Sequence, residues 1–80
     1  MTNQSYQTIE ANEKGYDEMT SFLGQSGFNL DRTSKNKNYW RKGDYVVKLI
    51  SSKNKIELIN VDDFTRKSLE YIAQQEKIRN

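Results

Sequence analysis

Apolar positions along this chain switch from helical spacing to strand spacing and back. From Thr8 to Gln25, the residues Ile9, Tyr16, Met19, Phe22 and Leu23 share one helical face, the recurrence of an amphipathic helix. Gly15 interrupts that face, and an interior glycine costs about 1 kcal/mol relative to alanine, so Tyr16 is the alternative start. Gly24 and Gly27 supply C-terminal caps. The period then falls to two over Phe28-Asn29-Leu30-Asp31-Arg32, as in a half-buried strand. Asn38 to Arg41 and Tyr45 to Ile50 read as two further strands joined by a tight turn at Gly43-Asp44. A polar loop from Ser52 to Lys55 leads to Ile56-Glu57-Leu58-Ile59, and Asp62 or Asp63 caps a last helix whose apolar side carries Phe64, Leu69, Tyr71, Ile72 and Ile78.

Pairing rules turn these segments into a sheet. A two-residue turn at Gly43-Asp44 sets Lys42 opposite Tyr45, Trp40 opposite Val47 and Tyr39 opposite Lys48. If Ser51 faces Ile56, Leu49 faces Leu58. This register gathers Phe28, Leu30, Trp40, Tyr45, Val47, Leu49, Ile56 and Leu58 on one side, as burial of a single face requires. The expected fold is α+β in two layers: a helix, an antiparallel meander of three to four strands and a second helix, with both helices on one face. Residues 1–7 are polar and expected to be a flexible N-terminus. Residues 8–80 are expected to form one domain.

Composition narrows the class. At 80 residues, with 34% hydrophobic, 30% charged and a mean hydropathy of −1.01, folding buries only about 60 to 65% of the extended chain's surface. The net charge of +2 is small, and with the patterned apolar segments it argues for a folded core over disorder. The chain has no cysteine and no histidine. A disulfide framework and a thiolate metal site are therefore excluded, and a cytoplasmic protein is the default expectation. No apolar run approaches the roughly 20 residues of a membrane-spanning helix, and the opening residues lack the basic and apolar regions of a secretory signal.

Charge is divided unevenly. Between Arg32 and Lys55 lie eight basic residues and one acid, Asp44, whereas the remainder holds five basic residues and ten acids. A chain polarised in this way offers a positive surface to an anionic partner and speeds the encounter through long-range attraction. In a meander the first and third turns share one end of the sheet, so Lys35, Lys37, Lys53 and Lys55 are expected at one pole, joined by Lys77 and Arg79 from the last helix. The register also sets Tyr39, Arg41, Val46, Lys48, Ile50, Glu57 and Ile59 side by side on the outer face, a mixed apolar and basic patch of the kind partners dock on. Plainer readings stand beside these: turn lysines solvate loops, a lysine stem covers a neighbouring tyrosine ring, Trp40 fills the core, and Asp62-Asp63 caps a helix instead of holding a metal.

Absent histidine and cysteine also remove the usual general base and nucleophile pairings, and no glycine-rich phosphate loop is present. The expectation is a binding protein and not an enzyme, with no cofactor, no metal and no small-molecule substrate.

Gly27-Phe28 after a helix, a basic polar turn, an aromatic strand, a second strand and the helix Phe64-Thr65-Arg66-Lys67-Ser68-Leu69-Glu70-Tyr71-Ile72 resemble the small HicA-like toxin domains. Their fold is related to the double-stranded-RNA-binding domain. The resemblance runs from about Met19 to Gln75. Those domains carry Gly-Ser-His at the start of the second strand, with the histidine serving RNA cleavage; the matching segment here is Lys37-Asn38-Tyr39-Trp40. The resemblance therefore implies an RNA-binding surface without nuclease activity, with Lys35 and Lys37 facing phosphates. The small, polarised, non-catalytic chain is also similar in style to phage or mobile-element inhibitors such as anti-CRISPR proteins, which occupy the surface of a nucleic-acid-handling protein or ribonucleoprotein complex. The first expectation is accordingly a stoichiometric inhibitor or adaptor acting through Lys35, Lys37, Tyr39, Arg41, Val46, Lys48, Ile50, Lys53 and Lys55. Direct nucleic-acid binding by the basic pole is the second.

Overall fold

The computed structural model describes residues 6–79, with side chains through Gln75. Its elements are β1 (Tyr6–Glu10), a 3-10 turn (Glu13–Gly15), α1 (Tyr16–Gln25), β2 (Asn29–Ser34), β3 (Lys37–Lys42), β4 (Tyr45–Ile50), a second 3-10 turn (Ser51–Lys53), β5 (Lys55–Ile59) and α2 (Asp63–Arg79). All strand pairs are antiparallel in one open five-stranded sheet of order β1-β5-β4-β3-β2. The α+β class and the meander β2 to β5 agree with the sequence reading. The strand count does not, because β1 is added beyond β5.

Of the two helix starts the sequence allows, Thr8 and Tyr16, the structure has the second, and Thr8 to Glu10 form a strand. Ile9 explains the difference: it lies opposite Ile56 and packs against the core, a placement that period-two alternation gives and helical spacing does not. The helix starts at Tyr16, after the turn that ends at Gly15. Tyr6 and Gln7, expected to belong to a flexible terminus, pair with Ile59 and Leu58; residues 1–5 lie outside the described residues.

The hairpin at Gly43-Asp44 has the expected register, with Lys42 opposite Tyr45, Trp40 opposite Val47 and Tyr39 opposite Lys48. Gly43 takes φ 59° while Asp44 stays at negative φ. Those are the signs of a type II′ turn, whose first central residue favours glycine. Between β4 and β5 the register differs from expectation: Leu49 faces Ile56 and Val47 faces Leu58. The turn closes one residue earlier on each strand, with Ile50 opposite Lys55, and Asn54 absorbs the reversal at φ 52°. A slip of two residues returns every side chain to the same face, so the predicted inner face survives it.

That face carries Val47, Leu49, Ile56 and Leu58, which cluster with Met19 and Leu23 of α1 and Leu69 and Ala73 of α2. Both helices therefore cover the same side. Trp40 packs against the cluster from its flank. Leu30, expected in the core, is 51% exposed, because β2 is the edge strand and lies beyond the helices' cover. Phe64 and Tyr71 also depart from expectation, at 71% and 63% exposed, since the core-facing side of α2 runs through Thr65, Leu69 and Ala73.

Two polar anchors fix the helices. Asp62 precedes α2 and accepts from the backbone N–H of Thr65 (3.3 Å) and from its hydroxyl (2.7 Å). The Thr65 hydroxyl holds the Asp62 carboxyl below its ordinary range against the opposing effect of burial, with a smaller contribution from that N–H. Of the two aspartates the sequence offered as a cap, Asp62 is the one that serves, while Asp63 pairs with Arg66 at 3.5 Å. Tyr16 is buried, and its hydroxyl faces the carbonyls of Ile50 (3.0 Å), Lys55 (3.1 Å) and Ala11 (3.5 Å). One proton serves three acceptors at the junction of β1, β4 and β5.

Tyr16→Phe removes a buried donor shared by three carbonyls and is expected to lower stability by about 0.5 to 1.5 kcal/mol in urea unfolding at neutral pH. Burial, then the charge of Glu13, raises the Tyr16 pKa. The wild-type advantage is therefore full below about pH 10 and declines as pH rises through the higher folded value. A pH series comparing the two proteins checks both statements.

Candidate interaction surface

The outer face is a grid fixed by register. Its first row runs Tyr6, Ile59, Val46, Arg41, Asn29; its second Thr8, Glu57, Lys48, Tyr39, Arg32; its third Glu10, Lys55, Ile50, Lys37, Ser34. Neither helix covers it, because both pack on the opposite side. The predicted neighbours Tyr39, Arg41, Val46, Lys48, Glu57 and Ile59 do lie together.

Two corrections change the patch. Ile50, expected as part of its exposed surface, is 2% exposed although it is not a member of the core cluster; its register neighbours Lys37 and Lys55 flank it with long side chains. It offers little surface for contact. Arg32, absent from the expected site, joins it. Strict alternation from Phe28 assigns Arg32 to the inner face, but the register shifts between Leu30 and Arg32, leaving Asp31 as the extra residue and Arg32 opposite Tyr39. A bulge of this kind re-aims the side chains that follow it.

The consequence is a cationic cluster on an aromatic ring. The Arg32 guanidinium lies 4.6 Å and the Lys48 ammonium 5.4 Å from the Tyr39 ring centroid, within the range of cation–π attraction. Lys48 also reaches Glu57 at 3.9 Å, and Lys55 reaches the same carboxylate at 3.6 Å. The hydrogen bond from Tyr6, and then the charges of Lys48 and Lys55, hold the Glu57 carboxyl below its ordinary range despite partial burial. The same bond raises the Tyr6 pKa. Glu57 thus organises the second row while offsetting part of its charge.

At one end of the grid the two basic tips meet. The Ser51 N–H donates to the Asn36 carbonyl at 3.0 Å, and the Ser51 hydroxyl approaches the same oxygen at 3.4 Å. This contact joins the turn bearing Lys35 to the turn bearing Lys53, with Lys37 and Lys55 at the adjoining strand ends. The Ala11 N–H donates to the Asn54 carbonyl (2.9 Å) and ties β1 to the same corner. Among the described residues, Lys35, Lys37, Arg41 and Lys53 make no ion pair. The side chains of Lys77 and Arg79, expected at this pole, lie outside the described residues.

A second surface was not anticipated. Phe22 of α1 and Phe64, Lys67, Ser68, Tyr71 and Ile72 of α2 line an apolar groove on the helical side, with the Phe22 and Phe64 rings 6.5 Å apart and tilted by 50°. The groove has a sequence signal: Phe64 and Tyr71 are seven residues apart, so they share a stripe offset from the one through Leu69 and Ala73. Among the described residues no three acidic or other ligating side chains cluster as a metal site, and no helix is long and apolar enough to cross a membrane.

No protein-family model, curated protein or solved structure matches this chain.

Glu57→Gln is expected to lower stability at neutral pH. Because the folded carboxyl titrates below its ordinary value, the wild-type advantage is present above about pH 4 and is lost as pH falls further. Thermal melts of both proteins from neutral to acid pH check the convergence.

Proposed function

We propose that this protein is a non-catalytic binding module that docks its basic outer face and lysine corner on an anionic surface. Its partner is a nucleic-acid-handling protein or ribonucleoprotein complex, and its role is that of a stoichiometric inhibitor or adaptor. The observation that carries this reading is the contact between Ser51 and Asn36, which makes one corner of two lysine-bearing turns beside an uncovered sheet face. Exposed Arg41 and half-buried Val46 and Ile59 lie on the same face, in the row farthest from that corner, so the surface combines charge with apolar area as protein interfaces do. Arginine and tyrosine are frequent anchors there, and truncating one costs about 2 kcal/mol or more.

Direct RNA binding is the second reading, and the corner lysines favour it. Tyr39 argues for ranking it second: the face's central aromatic is half-buried and already engaged by Arg32 and Lys48, which reduces its use as a platform for stacked bases. The HicA-like resemblance, if it reflects kinship, belongs with this alternative.

Affinity capture from the native cell, with and without nuclease, separates the two. The protein reading expects a stoichiometric protein partner that survives nuclease and is lost with Tyr39→Ala plus Arg41→Ala. Unchanged capture by that double variant refutes it. The RNA reading expects loss on nuclease treatment and an affinity for purified RNA that falls with salt at a log-log slope of about 0.7 to 0.9 per phosphate contacted. Lys35→Glu with Lys53→Glu should then abolish binding, and a flat salt response rejects this alternative.

A further inference from the structure

The sheet ends in two edges of different character. β2 has its register broken between Leu30 and Arg32 and carries Asp31 and Arg32 at the break. Bulges and charges of this kind keep an edge from pairing with another chain. β1 has neither. It runs Tyr6-Gln7-Thr8-Ile9-Glu10 in unbroken register with β5, contains no lysine and no proline, and has no strand on its other side among the described residues. Its row of outward N–H and C=O groups is a template for one more strand.

We infer that the added strand is β1 of a second copy of this chain, paired antiparallel about a two-fold axis at Thr8 to make one continuous sheet. The pairing is self-complementary. About that axis Thr8 meets its own symmetry mate, Tyr6 meets Glu10 and Gln7 meets Ile9, so no two like charges face each other. Threonine pairs across strands are favourable, whereas like charges in that position are not. On the inner side, a shallow groove lined by Thr8, Ile9, Glu70, Ala73 and Gln74 runs between β1 and α2. The second copy's Gln7 and Ile9 arrive on that side, and Ile9, only partly covered within one subunit, gains the rest of its cover there. The inference does not depend on the partner of the basic face, which the paired sheets would present twice in one plane.

Thr8→Lys tests it with little harm to the subunit. Thr8 is exposed and lies opposite Glu57, so a lysine there faces a carboxylate in its own chain but a second lysine across the axis. Sedimentation equilibrium of the full chain from about 1 µM to about 1 mM should show a dimer at the upper end. Thr8→Lys should weaken it at least about tenfold, while Thr33→Lys on the exposed opposite edge leaves it unchanged. Amide exchange in β1 of the wild type should slow as concentration rises. A wild type monomeric throughout overturns the inference, as does a dimer equally strong in Thr8→Lys or one lost only in Thr33→Lys. Far-UV circular dichroism verifies that the variant is folded. Should it prove unfolded, β1 exchange in the wild type that is independent of concentration overturns the inference by itself.

Discussion

The Tyr16 hydroxyl is the contact on which the arrangement of the corner depends. It stands beneath the place where β1 ends, β4 ends and β5 begins, facing the carbonyls of Ala11, Ile50 and Lys55. Strand ends are where sheet ladders leave carbonyls without partners, and a buried carbonyl left that way costs free energy comparable to a lost hydrogen bond. A donor rising from the first turn of α1 settles the helix layer and the sheet in one relation. The turn bearing Lys53 joins β4 to β5 at the same junction, and Ser51 ties the turn bearing Lys35 to it, so the geometry of a surface is fixed from within the core.

A layer of two helices can cover only one face of five strands, and the composition of the outer face follows from that limit. Long cationic side chains lie over the apolar and aromatic groups that no helix reaches: Arg32 and Lys48 over Tyr39, with Lys37 and Lys55 flanking Ile50. Aliphatic stems cover apolar surface while the charged ends remain in water. Glu57 then prevents the centre of the grid from accumulating charge by pairing with Lys48 and Lys55.

How far the sequence could be read depended on whether alternation was continuous. Where it was, between Lys37 and Ile50, pairing and facing were both legible, since a two-residue turn fixes register. At Asp31 one extra residue reversed the assignment of Arg32, and nothing in the composition of Asn29–Ser34 announces a bulge. β1 was missed because five residues satisfy either period: Ile9 extends the apolar face of α1 when counted at helical spacing and faces Ile56 when counted at strand spacing. The helical groove was missed for a related reason. Phe64 and Tyr71 look like core residues by type, and only the observed stripe of Thr65, Leu69 and Ala73 shows that they are turned away from it. The contact between Ser51 and Asn36 is tertiary in origin, yet the parity of turns in a meander already required the two tips to share an end.

The basic residues therefore divide by what their position demands. On the strands, Arg32, Lys48 and Lys55 have structural work: they shield a ring or neutralise Glu57, and a folded sheet with one wet face would need groups of their kind with or without a partner. Lys35 and Lys53 are exposed and pair with no acid among the described residues, and each adds charge to a turn that a neutral polar residue could form as well. Bringing like charges together at one corner disfavours the compact state, and the Ser51 to Asn36 bond holds the two turns together against it. The interaction hypothesis rests more firmly on those two turn residues, for which the fold supplies no other use, than on the larger number of cations along the strands.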